Sequence, residues 1–296
     1  MAGYNAGIHS YDAPAQPPSA LVMTHTPLAH APLGQAVAYP SAYDPSLLFA
    51  IDRAVNRAAL PLPAHWHGAD IWNAYEVSWL NPKGKPMVAV ARYTVPHSSP
   101  RLIESKSFKL YLNSYNETRF DDAETVRRTM ARDLSQAAGQ EIGVELFSLA
   151  SQHGLPLGAL EGDDIDGQDI DIDRYEPAPD LLRCTGGGGI VSEKLVSDLL
   201  KSNCPVTGQP DWGSVQVCYT GPRIDRAALL RYIVSLRRHT EFHEHCVETM
   251  FCDILRACKP ESLAVYARYT RRGGLDINPW RSTHPWAAGR VRTVRQ

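Results

Sequence analysis

The sequence predicts an α+β protein that contains two tandem units, each an antiparallel sheet with two helices on one face. A strand, two helices and a further strand follow one another in the first half of the chain, and the same order returns in the second half. Residues 129–133 also share threonine, methionine and aspartate, in the same spacing, with residues 249–253. This weak identity, combined with the repeated element order, indicates an internal duplication.

The first unit is predicted from strand and helix patterns that follow one another directly. Residues 75–80 and 87–95 have strand character, and the Asn-Pro-Lys-Gly turn between them predicts a hairpin. Helices are predicted over residues 106–116 and 121–138, the second of which carries apolar residues on one face and ends at a glycine. Residues 141–148 then alternate as a strand does.

The second unit is predicted from the same sequence of patterns. A strand over residues 214–220 precedes a helix that Asp225 can cap. A second helix follows, with an apolar face that includes Val247, Met250 and Ile254. Residues 263–270 again resemble a strand.

Composition divides the chain into four segments. Residues 1–45 contain seven prolines and predict an N-terminal arm, partly disordered at its start, whose later part docks on the body. Residues 46–160 form the first predicted unit and residues 191–296 the second. Residues 161–190 are predicted to be an acidic and glycine-rich linker, for which a calcium loop is an alternative that the spacing of the acids disfavours.

The bulk composition indicates a globular protein, since 44% of the 296 residues are apolar and 21% are charged. A formal net charge of −2 argues against a dedicated nucleic-acid binder, so no stable nucleic-acid partner is expected. No apolar run is long enough to span a membrane, and no secretory signal pattern opens the sequence, so we expect a cytoplasmic protein. The six cysteines form no Cys-x-x-Cys pair, which agrees with a reducing compartment.

Cys204 is a candidate nucleophile. It lies directly after a predicted helix, in a loop that contains two prolines and a glycine, where a thiolate is accessible. Asp211 lies at the other end of the same loop and can exchange protons with whatever the thiolate attacks. The alternative is an inert loop cysteine, with Asp211 capping a turn.

A second candidate site surrounds the Phe-His-Glu run at residues 242–244. His239 and His243 have the spacing of two ligands on one helix face, and with Cys246 or Cys204 they can bind zinc. Alternatively, His243 and Glu244 hydrogen-bond a polar heterocycle, because a buried carboxylate can accept from both N–H donors of a guanine-like edge. A solvated helix start is the third interpretation.

Two further segments suit phosphate groups. Lys106 and Lys109 lie on one side of a predicted helix that Ser105 and Ser107 open, and its free backbone N–H groups can bind an anion. A capped helix with solvated lysines is the alternative. Arginines at residues 271–272, before two glycines, can clamp the phosphates of a dinucleotide, although a solvated basic tail or a transient RNA contact is also open.

These segments together resemble one known family. The run Glu-Ser-Lys-Ser-Phe-Lys at residues 104–109 resembles the signature of the NADPH-dependent 7-cyano-7-deazaguanine reductases, the nitrile reductases of queuosine biosynthesis. Four other stretches are similar to that family: residues 204–212, 242–244 and 271–274, together with 33–35 and 43–48 in the arm. The resemblance covers the chain from about residue 30 onward and matches the long, bimodular subgroup.

The resemblance implies a tunnelling fold with two such units per chain, a homodimer, and kinship with the GTP cyclohydrolase I enzymes. It implies that Cys204 is the nucleophile and Asp211 the general acid. It implies the following binding residues: Ile103, Glu104, Ser105, His243 and Glu244 for the deazaguanine substrate, and Ser105, Lys106, Arg272 and Gly273 for NADPH.

The implied reaction converts 7-cyano-7-deazaguanine (preQ0) to 7-aminomethyl-7-deazaguanine (preQ1). Addition of the Cys204 thiolate gives a thioimide, which Asp211 protonates on nitrogen, and two NADPH molecules supply the hydrides without a metal. Two other functions stay open at this point. One is a zinc-dependent enzyme of the cyclohydrolase type that uses His243 and a cysteine as ligands, and the other is a purine- or RNA-binding module without catalysis.

Overall fold

The computed structural model describes residues 39–150, 156–187 and 189–296. In chain order the elements are β1 (Ala50–Asp52), α1 (Arg53–Arg57), β2 (His67–Leu80), β3 (Pro86–Pro96), β4 (Arg101–Ile103), α2 (Ser105–Asn113), α3 (Ala123–Ala138), β5 (Gly143–Phe147), β6 (Asp163–Asp164), β7 (Ile190–Asn203), β8 (Pro210–Pro222), α4 (Arg226–Ser235), α5 (His243–Cys258), β9 (Ser262–Tyr269) and β10 (Leu275–Ser282). Short 3-10 turns lie before β1, before β7 and between α4 and α5.

One eight-stranded sheet runs through both halves of the chain, in the order β5-β3-β2-β10-β9-β8-β7-β6. All its pairs are antiparallel except β6 with β7. The two halves meet where β2 pairs with β10, with Trp72 opposite Ile277. The predicted α+β class with antiparallel sheets is therefore confirmed. The sheets predicted for the two units form one continuous sheet.

The four long helices cover one face of this sheet. In the first half, Trp72 and Tyr93 pack with Phe108 of α2 and Met130 of α3. In the second half, alternate residues of β8 and β9 pack with apolar residues of α4 and α5 in a second core. Among the described residues, no helix combines the length and the apolar character that a membrane span requires.

Local signals predicted the ends of several elements correctly. The Asp122 carboxylate accepts from the Thr125 amide (2.7 Å) at the start of α3, and Gly139 ends that helix with a φ of +78°. Asp225 caps α4 by accepting from the Ala228 amide at 3.1 Å. The predicted hairpin is also present, and Gly84 in its turn has a φ of +80°.

The prediction of a helix before Cys204 is wrong, because the strand β7 extends up to Asn203. A bulge between Ser197 and Leu200 interrupts its pairing with β8 and breaks the alternation of buried residues along it. Strand β10 is a second difference. A solvated tail was one interpretation of the segment that begins at residues 271–272, but part of this segment forms the strand that joins the two halves.

The acidic stretch after residue 160 packs against the second half, where the sequence predicted a solvated linker. Its β6 pairs with β7, and Ile165 is buried in the core. Asp166 accepts hydrogen bonds from the Ser197 hydroxyl (2.6 Å) and the Asp198 amide (2.8 Å). The bulge of β7 thus supplies the donors that keep this carboxylate against the sheet.

The end of the predicted N-terminal arm docks on the first half, as expected. The Tyr43 hydroxyl donates to Asp133 of α3 at 2.5 Å, and its ring lies edge-on to Tyr115 and Phe120. The earlier arm residues, including the Leu-Gly-Gln run at 33–35, lie outside the described residues.

A buried ion-pair network links the two halves of the chain. Arg281 of β10 is fully buried and contacts Asp70 of β2 and Glu248 of α5, each at 2.8 Å. Arg53 also pairs with Asp70 at 2.5 Å. Because these charges are removed from water, each depends on its partners for compensation.

Replacing Arg281 with methionine is expected to lower the free energy of unfolding by about 3–5 kcal/mol, because two buried carboxylates each lose one of their two cationic partners. Denaturant titration of both proteins measures this difference. Arg127→Met is the matched control, since Arg127 pairs with Glu124 on the exposed surface of α3, and it should leave the unfolding midpoint almost unchanged. Equal effects of the two substitutions would contradict the compensating role of Arg281.

Candidate active site

Cys204 lies in the short turn that connects β7 and β8. Its amide donates to the Gln209 carbonyl (2.9 Å), and its carbonyl accepts from the Gly208 amide (3.0 Å). Gly208 has a φ of +67°, a conformation that favours glycine in a tight turn. The free thiol is half-buried, so the turn holds it at a fixed position without removing it from access.

One cavity, with about 370 Å³ of free space including open solvent at its mouth, collects nearly all the predicted site residues. The hairpin contributes Cys204 and Asp211, and the start of α5 contributes His243 and Glu244. The remaining predicted residues in its lining are Ile103, Glu104, Ser105 and Arg272. Strands and helices from both halves of the chain therefore build a single site.

Asp211 is buried and lies between two basic groups. One oxygen of its carboxylate accepts a hydrogen bond from Arg272, and the other is 3.5 Å from Nε2 of His243. Burial by itself raises the pKa of Asp211, but the hydrogen bonds and charges of His243 and Arg272 outweigh it and hold the pKa below its usual range. The carboxyl group is therefore ionised at neutral pH in this arrangement.

Glu244 occupies the first turn of α5 and is almost completely buried. Burial, assisted by the nearby Asp70 carboxylate, raises its pKa to about 7, although His243 and Arg53 act in the opposite direction. The ring of His243 is held edge-on against Tyr269 with the centroids 4.0 Å apart. The start of α5 thus presents a carboxyl and an imidazole to the cavity from fixed positions.

Glu104 caps α2 with both of its carboxylate oxygens. They accept from the amides of Lys106 and Ser107, each at 2.7 Å. Burial nevertheless raises the pKa of Glu104 above its usual value. The expectation that these backbone N–H groups are free to bind a phosphate is therefore wrong, because the carboxylate already occupies them.

A larger cavity, with about 1000 Å³ of free space including open solvent, lies beside the β9–β10 turn. Gly273 lines it, and Lys109 and Asn113 of α2 face it. Burial and the nearby Arg272 cation lower the pKa of Lys109, while Glu104, Asp211 and Cys204 act in the opposite direction. Lys109 is therefore electrostatically connected to the residues of the smaller cavity. Lys106 lines neither cavity.

Several residues of this site were not predicted from the sequence. Lys109 is a candidate phosphate ligand in the sequence, but it is not among the binding residues that the family resemblance implies. Trp72 and Ile277 line the smaller cavity because β2 pairs with β10, a long-range contact that no local pattern reveals. Phe242, in contrast, belongs to the Phe-His-Glu run and had a signal in the sequence.

The geometry expected of a zinc site is different from the one observed. α5 begins at His243, so His239 precedes the helix and does not share a helix face with it. The His239 ring lies beside His245, and burial lowers its pKa to about 4. Within the described parts of the chain, no group of three His, Cys, Asp or Glu side chains converges as metal ligands do.

The arrangement joins a thiol, a carboxylate and an imidazole in one cavity that a guanidinium also lines. These groups can carry out nucleophilic addition to an unsaturated carbon with proton transfer to the neighbouring atom. Glu244 can at the same time accept hydrogen bonds from a planar N–H edge.

Two family models match the chain. The one described as "Nitrile reductase, 7-cyano-7-deazaguanine-reductase N-term" matches residues 39–146, and the one described as "QueF-like protein" matches residues 210–287. Among solved structures, the archaeosine synthase QueF-Like in its apo form is 18% identical, covers 33% of this chain and 98% of its own, and has a TM-score of 0.29, which is too low to support an argument.

Curated relatives match nearly the whole chain. The NADPH-dependent 7-cyano-7-deazaguanine reductase of Bordetella avium is 60% identical over 86% of this chain and 94% of its own length. The reductase of the same name from Chromobacterium violaceum is 55% identical over 90% of this chain and 97% of its own. At such identity and coverage, this chain belongs to the family of NADPH-dependent 7-cyano-7-deazaguanine reductases.

Proposed function

We propose that this protein reduces 7-cyano-7-deazaguanine to 7-aminomethyl-7-deazaguanine, a four-electron, NADPH-dependent step of queuosine biosynthesis. The observation that carries the proposal is the single cavity in which the Cys204 thiol meets the Asp211 carboxylate and the His243–Glu244 pair. The names of the curated relatives support the nitrile substrate and the cofactor.

In the proposed mechanism the Cys204 sulfur adds to the nitrile carbon and forms a thioimide. Asp211, ionised beforehand, takes the proton that the Cys204 thiol loses and donates it to the nitrile nitrogen. A nitrile carbon is a weak hydride acceptor, whereas a protonated thioimide is a strong one, so covalent catalysis divides one difficult reduction into easier steps. After the first reduction the carbon–sulfur bond breaks, Cys204 leaves as a thiolate, and the resulting imine is ready for the second reduction.

We propose that the cofactor occupies the larger cavity beside the β9–β10 turn. Lys109 and Arg272 bring two cations to this region, and Gly273 lines the cavity with no side chain to fill it. Phosphate groups satisfy such paired cations. We therefore propose that Arg272, Gly273 and Lys109 hold NADPH, with Ser105 and Lys106 on the same helix start, and that NADPH, when bound, supplies the hydrides.

Glu244 is proposed to accept two N–H groups of the deazaguanine, with His243 beside it. Only the ionised carboxylate accepts both, and the raised pKa of about 7 means that this form is lost as the pH falls below 7. We therefore expect the dissociation constant of 7-cyano-7-deazaguanine to increase by up to about tenfold per pH unit below 7 and to be constant above it.

Calorimetric titration between pH 5.5 and 8.5 measures this dependence, with Cys204→Ala as the background so that no covalent bond forms. Glu244→Gln on the same background should bind more weakly at pH 8 and lose the dependence on pH. A dissociation constant that does not change between pH 5.5 and 7 would contradict the role of Glu244.

We further propose that the protein forms a homodimer of tunnelling-fold units and works in the cytoplasm. Strand β5 lies at one end of the sheet, and no other strand among the described residues pairs with its outer edge, so a second copy can pair there. Sedimentation that reports the mass of a single chain at micromolar concentration would contradict the dimer.

The proposed reaction is tested by its stoichiometry. The absorbance of NADPH is followed after a limiting amount of 7-cyano-7-deazaguanine is added. Two molecules of NADPH oxidised per nitrile support the proposal. One molecule, or none, would contradict a four-electron reduction.

A further inference from the structure

One wall of the smaller cavity is formed by a segment that does not belong to the large sheet. Ile103, Glu104 and Ser105 line this cavity, at the point where β4 ends and α2 begins. Among the described residues, β4 pairs only with β1, and the two strands form a separate two-stranded sheet. The strand pairing that fixes the backbone of this wall therefore comes from β1 and not from the eight-stranded sheet.

Strand β1 is the last part of a strap, residues 43–52, that lies across the first half of the chain. At the start of the strap, the Tyr43 hydroxyl donates to the buried Asp133 carboxylate of α3 at 2.5 Å. In its middle, Leu47 and Leu48 pack against the first hydrophobic core. At its end, β1 pairs with β4. The strap is thus fixed to the body before it reaches the wall of the cavity.

Ser107 joins the strap to this wall through a closed ring of hydrogen bonds. The Phe49 amide donates to the Ser107 hydroxyl (3.0 Å), and this hydroxyl donates to the Glu104 carbonyl (2.7 Å). The Glu104 amide donates back to the Phe49 carbonyl at 2.8 Å. Because Ser107 is completely buried, water cannot take the place of its hydroxyl without a rearrangement. The ring therefore fixes both backbone polar groups of Glu104.

The strap acts on the substrate only through other residues. None of residues 43–52 lines either of the two cavities described above, and Ser107 does not line them either. Any effect of these residues on the ligand must pass through the wall at residues 103–105. Binding is stronger when such a wall is already ordered in the free protein, because the cost of ordering it is then not subtracted from the affinity.

We propose that Ser107 is a positioning residue, which together with the strap holds residues 103–105 in the geometry that binds the deazaguanine before the substrate arrives. This inference rests on the proposed function. It gives the end of the N-terminal arm a role in substrate affinity, although no residue of the strap contacts the substrate in this arrangement.

The variant Ser107→Ala tests the proposal because it removes the hydroxyl from the ring. The dissociation constant of 7-cyano-7-deazaguanine is measured by calorimetry at pH 8, in the full-length protein and on the Cys204→Ala background so that no covalent bond forms. We expect the constant to increase about tenfold, because the loosened wall must be ordered again each time the substrate binds.

Ser114→Ala, on the same background, is the matched control. Ser114 follows the other end of α2, is also completely buried, and donates from its hydroxyl to the carbonyl of Tyr111 at 2.6 Å. Ser107 likewise donates to the carbonyl three residues before it. The two substitutions should therefore lower the midpoint of denaturant unfolding by similar amounts, whereas only Ser107→Ala should weaken substrate binding.

Hydrogen exchange of the native protein supplies a measurement that needs no substitution and does not depend on whether a variant folds. The amides of Phe49 and Glu104 should already be protected in the free protein, since both are part of the ring. Residue-resolved exchange, with and without 7-cyano-7-deazaguanine, measures this protection. Amides that exchange freely until the substrate is added would overturn the proposal.

The binding results separate the positioning role from the proposed function. A dissociation constant for Ser107→Ala within about twofold of the background value, or equal increases in Ser107→Ala and Ser114→Ala, would overturn the positioning role alone. If the Cys204→Ala protein with an intact ring does not bind 7-cyano-7-deazaguanine, the proposed function is wrong and the positioning role falls with it.

Discussion

The Cys204→Ala variant is expected to lose NADPH oxidation by at least about 10⁴-fold, because removal of a catalytic nucleophile leaves only the contribution of binding and positioning. The nitrile then has no route to the thioimide. The initial rate of NADPH absorbance loss, at saturating 7-cyano-7-deazaguanine, measures the effect. Binding of the substrate should persist, since His243 and Glu244 are unchanged.

Cys218→Ala is the control for this result. Cys218 is a half-buried cysteine of β8 that lines a different cavity from Cys204, and burial raises the pKa of its thiol to about 11. Its replacement should leave the rate within about twofold of the native rate. A Cys204→Ala protein that still oxidises NADPH at the native rate would exclude covalent catalysis at this position.

The Asp211→Asn variant is expected to lower kcat by about 10²–10⁴-fold, which is the usual contribution of a positioned general acid. The amide keeps the size of the carboxyl but cannot pass a proton to the nitrile nitrogen. Adduct formation should slow by a similar factor, whereas the dissociation constant of the substrate should change little. Stopped-flow absorbance, with and without NADPH, separates these quantities.

The control for Asp211 is an exposed aspartate with a comparable arginine partner. Asp180→Asn removes a carboxylate that pairs with Arg174 at 2.6 Å and lines neither cavity, so it should leave kcat unchanged. If Asp211→Asn retains kcat within twofold, the proton reaches the nitrogen from another group and the assignment of the acid is wrong.

Local sequence signals were sufficient where a short segment makes its own structure. The turn at residues 81–84, the capping aspartates Asp122 and Asp225 and the stop at Gly139 all depend on neighbours a few residues away. Cys204 and Asp211 line the same cavity, as their positions in the sequence indicated, because one hairpin turn connects them. Such features follow from backbone preferences and need no knowledge of the fold.

Long-range pairing was beyond these signals. The register of β2 with β10 brings Trp72 next to Ile277, and this contact joins two segments separated by most of the chain. Strand β7 was not predicted, because the bulge in it interrupts the strict alternation of buried residues that indicates a strand. The packing of the acidic stretch against the second half was not predicted for a related reason, since the hydrogen-bond donors to Asp166 lie at that same bulge.

The electrostatics of the site could not be predicted from residue types alone. Arg272 was assigned to the cofactor phosphates, yet it also contacts Asp211, and together His243 and Arg272 lower the pKa of that carboxyl, which is the reverse of what a general acid was expected to show. Glu244 of α5 has a raised pKa because it is buried near Asp70 of β2. Both effects depend on distances in the folded chain, which the motifs do not contain.

Covalent catalysis requires a bond between the Cys204 sulfur and the nitrile carbon. Intact-mass analysis of the protein incubated with 7-cyano-7-deazaguanine in the absence of NADPH, followed by peptide mapping, detects this bond. A mass increase of one substrate molecule per chain is expected, located on the peptide that contains Cys204. An unchanged mass, or a substrate attached to any of the other five cysteines, would contradict it.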